Sequence, residues 1–325
     1  MDGYGIISHF NGGRYEGEFK NDKIEGYGFV YYKDGSKYIG ESKNYFREGF
    51  GICHYSDGGK YIGMFKNDNK EGYGIEYLPN GDKYQGNFKN DNYEGYGILY
   101  FSNGDIYEGE FKNNLREGYG IGKYYDGKYE GEFKNDSMDG YGIISYSNGG
   151  RCEGEFKNDE IEGYGFVYFQ DGNKYIGEFK NDRIEGFGIY YYSDGSKYIG
   201  MFKNDMKEGY AIDYLPNGDK YKGNFKNNNF EGYGLLYFSN GDIYEGEFKN
   251  NYLEGYGIAK YSYAKYEGEF KHTLMEGKGK LSYSDGDIYE GEFKNDHMDG
   301  YGIISYSNGE RYEVEFKNGK IEGLV

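Results

Sequence analysis

Tyr107-Glu108-Gly109-Glu110-Phe111-Lys112-Asn113, followed by Glu117-Gly118-Tyr119-Gly120, is the phrase that decides the fold. Its leading position recurs at Tyr15, Tyr38, Tyr61, Tyr84, Tyr107, Tyr129, Cys152, Tyr175, Tyr198, Tyr221, Tyr244, Tyr266, Tyr289 and Tyr312. These positions define fourteen units, most of them 23 residues long, with almost nothing outside them. A fixed period of this length marks a stacked repeat array, in which each unit buries its apolar side only against its neighbours. Function is then to be sought in a long regular surface.

Residues 138–274 restate 1–137: FSNGDIYEGEFKNN at Phe101–Asn114 returns letter for letter at Phe238–Asn251. The array therefore reads as one continuous domain over 1–325, with a duplicated block, 1–137 and 138–274, and extra repeats over 275–325. Only 36% of the residues are hydrophobic and many of those are tyrosine, so aliphatic groups are too few for two packed sheets. With 59 glycines and 45 tyrosines, the composition predicts aromatic rings lying over bare backbone.

Within one unit, Tyr15-Glu16-Gly17-Glu18-Phe19 alternates, placing Tyr15, Gly17 and Phe19 on one face and the glutamates on the other. Lys20 to Glu25 reads as a loop, and Gly26-Tyr27-Gly28-Phe29-Val30-Tyr31-Tyr32 as a second strand. Asp34-Gly35 then marks a tight turn, repeated at Asp57-Gly58, Asn80-Gly81 and onward. An apolar column follows the Gly-x-Gly, including Phe29, Ile52, Ile75 and Ile98. No segment has helical apolar spacing. The expectation is an all-β, elongated, single-layer, twisted antiparallel β-meander of about 28 strands, on the order of 130 Å long at ~4.8 Å per strand.

The phrase Tyr-x-Gly-x-Phe…Gly-x-Gly resembles the MORN repeat (membrane occupation and recognition nexus), over essentially the whole chain. The resemblance implies a single-layer antiparallel meander. It also implies a non-catalytic role in cytoskeletal, ciliary or membrane-junction scaffolds, with phospholipid contact in some members. Five positions depart from the pattern: Ser42, Cys152, Ala211, Ala264 and Val314.

A net charge of −18 argues against a phosphate-binding nucleic-acid protein and against broad attachment to anionic lipid. Cys53 and Cys152 are too scattered for a disulfide framework or a zinc site, and His9, His54, His272 and His297 share no pattern. The repeated Glu-Gly-Glu resembles paired carboxylates, but near-identical copies in seven units read as a solvated face, not as active sites. The Gly-x-Gly lacks the third glycine and the helix of a dinucleotide fingerprint. No catalytic, cofactor-binding or metal-ligating residue is therefore expected. Lysine follows the phenylalanine position in every unit, as at Lys20, Lys66 and Lys112, and an acidic residue precedes each Gly-x-Gly, as at Glu25, Glu48 and Glu71. Two readings stay open: opposite charges paired along neighbouring loops, or a lysine stripe for a phosphorylated headgroup or acidic partner.

The function these observations favour is a non-enzymatic scaffold that binds other proteins, cytoskeletal or ciliary ones on the family resemblance. The alternatives are a phosphoinositide- or phospholipid-binding module and a regulatory subunit of an enzyme supplied in trans. The opening MDGYGIISHF has no basic region followed by an apolar run, so the expectation is a cytoplasmic chain without a signal peptide, at the cytoskeleton, cilium or membrane periphery. The uncapped end and Val314 predict self-association, as a homodimer, or partner docking through the C-terminal repeats, Ile288 to Val325.

Overall fold

The computed structural model describes residues 2–10 and 12–324. Met1 and Val325, which bound the expectations about the two ends, lie outside the described residues. The described residues form 29 strands and no helix. They divide into two compact units, Met1–Ile161 and Glu162–Val325. Within each unit, successive strands pair antiparallel, as a meander: Arg14–Lys20 with Lys23–Tyr31, and that strand with Lys37–Lys43, in the first. In the second, Lys174–Lys180 pairs with Arg183–Tyr191, and that strand with Lys197–Lys203.

The two kinds of connection differ from the sequence reading, and in opposite directions. The six-residue loop expected from Lys20 to Glu25 is a two-residue turn. Lys20 already pairs with Lys23, and Asn21 and Asp22 both take left-handed backbone angles, φ 50° and 63°. Two consecutive positive φ values are what the right-handed twist of a hairpin requires, and asparagine and aspartate tolerate them. The Asp-Gly sites form longer connections instead. Tyr32 N–H donates to the Ser36 carbonyl at 2.9 Å and Gly35 N–H to the Tyr32 carbonyl at 3.1 Å, so five residues make the bend. The Asp-Gly signal correctly placed a hairpin but not its length.

Alternation within the strands is as the sequence predicts. Tyr15, Gly17 and Phe19 are buried on one face, called inner below, while Glu18 points the other way and is exposed. Gly17 and Gly28 face each other across the hairpin, and the Tyr15 ring lies over both. A methyl group at Gly28 would stand 2.6 Å from the Tyr15 ring and hydroxyl. The Tyr15 hydroxyl donates to the Glu18 carbonyl at 3.0 Å, and Tyr61, Tyr84 and Tyr107 make the equivalent bond. Between Gly17 and Phe19 the ladder bulges, and Gly26 on the bulged strand has φ 79°, a conformation open to glycine.

The inner rings then interlock. Tyr61 meets Phe65 of its own unit and Phe88 of the next edge-on, both at 5.0 Å, and Tyr84 repeats this with Phe88 and Phe111. Such edge contacts contribute about 0.5–1.5 kcal/mol each beyond burial. The second residue after each two-residue turn covers this ladder: Tyr93 stacks on Tyr84 at 3.7 Å, while Arg47 lies over Phe65 at 4.7 Å. The column is not uniform. Tyr244 leaves its place and bonds Tyr261 hydroxyl to hydroxyl at 3.2 Å, while Leu253, fully buried, fills the space beside Gly246 and Gly257.

Candidate interaction surface

The opposite face is open. Its side chains stand in rows that cross the strands, because the register brings equivalent positions together. The first row joins Tyr31, Lys37, His54, Lys60, Tyr77, Lys83 and Tyr100. The middle row joins Phe29, Ile39, Ile52, Ile62, Ile75, Gln85 and Ile98. The third row carries the centre of each Gly-x-Gly, so that Tyr27 stands beside Glu41 and Phe50 beside Met64. Third-row rings are well exposed: Tyr27 51%, Phe50 50% and Tyr73 55%. The second unit repeats all three rows.

In the first row, lysines lie between tyrosine rings. Lys83 Nζ is 5.0 Å from the Tyr100 ring centre and 5.9 Å from that of Tyr77; Lys197 is 4.9 Å from Tyr214 and 5.9 Å from Tyr191. These are cation–π distances. A cleft of about 460 Å³ opens beside this row in the second unit, lined by Phe166, Tyr168, Lys174 and Tyr191. Elsewhere glutamates enter the middle row and bind third-row hydroxyls. Tyr96 donates to Glu108 at 2.6 Å, Tyr141 to Glu153 at 2.5 Å and Tyr233 to Glu245 at 2.5 Å. The donated bonds hold the Glu153 and Glu245 carboxyls below the usual range and push the Tyr141 and Tyr233 hydroxyls up.

The lysine column expected from the sequence is exposed along the two-residue turns, at Lys20, Lys43 and Lys66. The acidic column beside it has a different task from loop-to-loop ion pairing. Glu48 accepts the backbone N–H of Asn67 at 3.0 Å, Glu185 that of Asn204 at 2.9 Å, and Glu25 that of Asn44 at 3.2 Å, each from the neighbouring turn. Among the described residues no ion pair joins the two columns. The charged pairs that are sheltered lie on the inner face: Lys207 Nζ is 2.6 Å from Asp213, and Lys70 pairs with Glu76, which also accepts the Tyr93 hydroxyl at 3.1 Å. Burial pushes the Asp213 carboxyl up, with Lys207 opposing.

Cys53 and Cys152 are buried on the inner face. Among the described residues no group of three or more His, Cys, Asp or Glu side chains could hold a metal ion, and no helix is long and apolar enough to cross a membrane. The first-row lysines are the surface feature that the sequence reading passed over. They recur one residue before the leading tyrosine, at Lys37, Lys60, Lys83, Lys174, Lys197 and Lys220, and this spacing alone would have revealed them.

One open face, one face sealed by an aromatic ladder and a strand pair repeated throughout define a single-layer β-repeat protein. The chain belongs to the MORN-repeat family: the MORN repeat model matches thirteen successive segments, from 15–37 through 107–128 and 244–262 to 289–311. The unit that opens at Tyr312 is outside these matches. No match was found among curated protein sequences. Solved structures with similarity include the TCP domain of Drosophila melanogaster SAS-4 (dCPAP), in complex with a proline-rich motif of Ana2. It is 20% identical, with 53% of this chain and 86% of that chain covered and a TM-score of 0.29. The wild-type TCP10 domain of Danio rerio CPAP with a STIL peptide is 11% identical, with 96% and 99% covered and a TM-score of 0.17. TM-scores at this level carry no argument about fold or function.

Proposed function

We propose that the chain is a non-catalytic platform whose open face holds other proteins, at the cytoskeleton, a cilium or a membrane junction in the cytoplasm. The observation that carries this reading is the open face itself. Rows of half-exposed isoleucine, exposed tyrosine and lysine repeat across many strands, and side chains of this kind anchor protein interfaces. Repetition also argues against catalysis, since the open face repeats the same side-chain types from unit to unit. Affinity purification of the full chain from cells, with crosslinking and mass spectrometry, tests the reading. Crosslinks from first- and third-row residues to defined partners are expected, with no turnover by the purified protein. Crosslinks confined to the inner face, or turnover abolished by one substitution, would overturn it.

The exposed lysine column supports a second reading, contact with phosphoinositide headgroups. Vesicle binding that needs polyphosphoinositide and is lost when Lys43, Lys66 and Lys89 become glutamate would favour it.

A further inference from the structure

The platform reading requires a partner, and the charge pattern of the open face selects its chemistry. The chain carries −18 overall, yet its carboxylates are unevenly placed on this face. At the third-row position shared by Glu18, Glu41, Glu110 and Glu132, the chain has Met64, and Met201 in the duplicate. At the middle-row position of Glu16 and Glu108 it has Ile62, and Ile199 in the duplicate. As a result, the three rows hold no carboxylate from Phe46–His54 to Asn92–Tyr100 in the first unit, nor from Arg183–Tyr191 to Asn229–Tyr237 in the second. Lys60 and Lys83 remain in one field, and Lys197, Lys220 and Lys222 in the other.

We infer that each of these two fields is a docking face for an acidic amphipathic helix. The isoleucine and methionine rows offer an apolar track, and the lysine–tyrosine row beside it offers cations to glutamates on one flank of the helix. Each field spans five strands, about 19 Å at ~4.8 Å per strand, the length of about 13 helical residues. A bilayer is a poor occupant. Each field has only two or three lysines to meet an anionic surface, and the net charge of the chain opposes them. A second copy is also poor: the acidic stretch that could face these lysines has glutamates such as Glu153 already bonded to tyrosine hydroxyls.

The probe is a synthetic helix-forming peptide with leucine on one face and glutamate along one flank, titrated into the full chain by calorimetry. Two peptides should bind per chain. A peptide with lysine in place of each glutamate should bind at least about tenfold more weakly. The variant Ile62→Glu, Met64→Glu, Ile199→Glu, Met201→Glu inserts the residue found in the same columns of other units, so its thermal unfolding should match the parent, while peptide affinity drops at least about tenfold. Binding indifferent to the sign of the peptide charge, or unchanged in the variant, overturns the inference. So does binding to phosphatidylserine vesicles, or self-association, that the variant abolishes while the peptide fails to bind. If the variant recovers every cellular partner of the parent, the docking face is wrong and the platform reading stands.

Discussion

At the scale of the residue, the duplicated block supplies its own control. Gly74 in the first block corresponds to Ala211 in the second. A methyl group at Gly74 would lie 2.5–2.7 Å from the Tyr61 hydroxyl and ring. Around Ala211 the contact has relaxed: Tyr198 meets Phe202 at 68°, where Tyr61 meets Phe65 at 82°, and the ladder irregularity has moved to Gly200/Met201. The second block also has the shorter Asp213 where the first has Glu76. Gly74→Ala should therefore destabilise the protein by about 1–3 kcal/mol, as overpacking does, measured by urea unfolding. Ala211→Gly should change stability by less than about 1 kcal/mol, because relief of crowding offsets the added chain entropy. Adding Glu76→Asp to Gly74→Ala should recover part of the loss.

At the scale of the element, the hairpin turn does more than reverse the chain. The second turn residue accepts the backbone N–H that follows the preceding turn: Asp68 from Arg47 at 2.7 Å, Asp91 from Lys70 at 2.8 Å and Asn114 from Tyr93 at 2.7 Å. Neighbouring hairpins are thus stitched together at their turn ends, in addition to the ladder. Tyr45 occupies this position and makes a different stitch: its hydroxyl donates to the Asp22 carbonyl of the preceding turn at 2.7 Å, while it holds φ 72°. Thr273 provides its hydroxyl to Leu253 N–H at 3.0 Å, but a β-branched residue at φ 70° is strained. Tyr45→Asp and Thr273→Asn should each raise stability, by about 0.5–1.5 kcal/mol, through relieved backbone strain, the new carboxylate at residue 45 standing in for the lost hydroxyl bond to Asp22. A lower or unchanged thermal midpoint in both would show that the left-handed turn position is not strained by these two side chains.

At the scale of the whole molecule, the inner tyrosines tie stability to alkaline pH. Burial pushes the Tyr38, Tyr61, Tyr84, Tyr107, Tyr175 and Tyr221 hydroxyls well above their ordinary value of 10.0, and Tyr289 up to about 12. The folded state therefore holds these protons more tightly than the unfolded state. The contribution is fully present below pH 10 and is lost as pH rises through the folded values. Alkaline titration should show the inner tyrosines ionising together with loss of β-sheet circular dichroism, in one steep step above the ordinary tyrosine range. Gradual ionisation with the sheet intact would mean that water reaches the inner face.

The sequence alone determined the all-β class, the meander, the common face of Tyr, Gly and Phe and the rings over glycine, but not that the tyrosine hydroxyls turn back to backbone carbonyls and seal that face. All of these follow from period and alternation, which are local properties repeated until no other packing fits. It misjudged both connections, because a six-residue polar run looks like a loop until the backbone angles of Asn21 and Asp22 are known. It could not see that Glu48 serves a neighbouring turn, that Leu253 displaces Tyr244, or that Lys60, Ile62 and Met64 join one open field across five strands. Those relations join residues on different strands or set one strand among its neighbours, and only the register between strands brings them side by side.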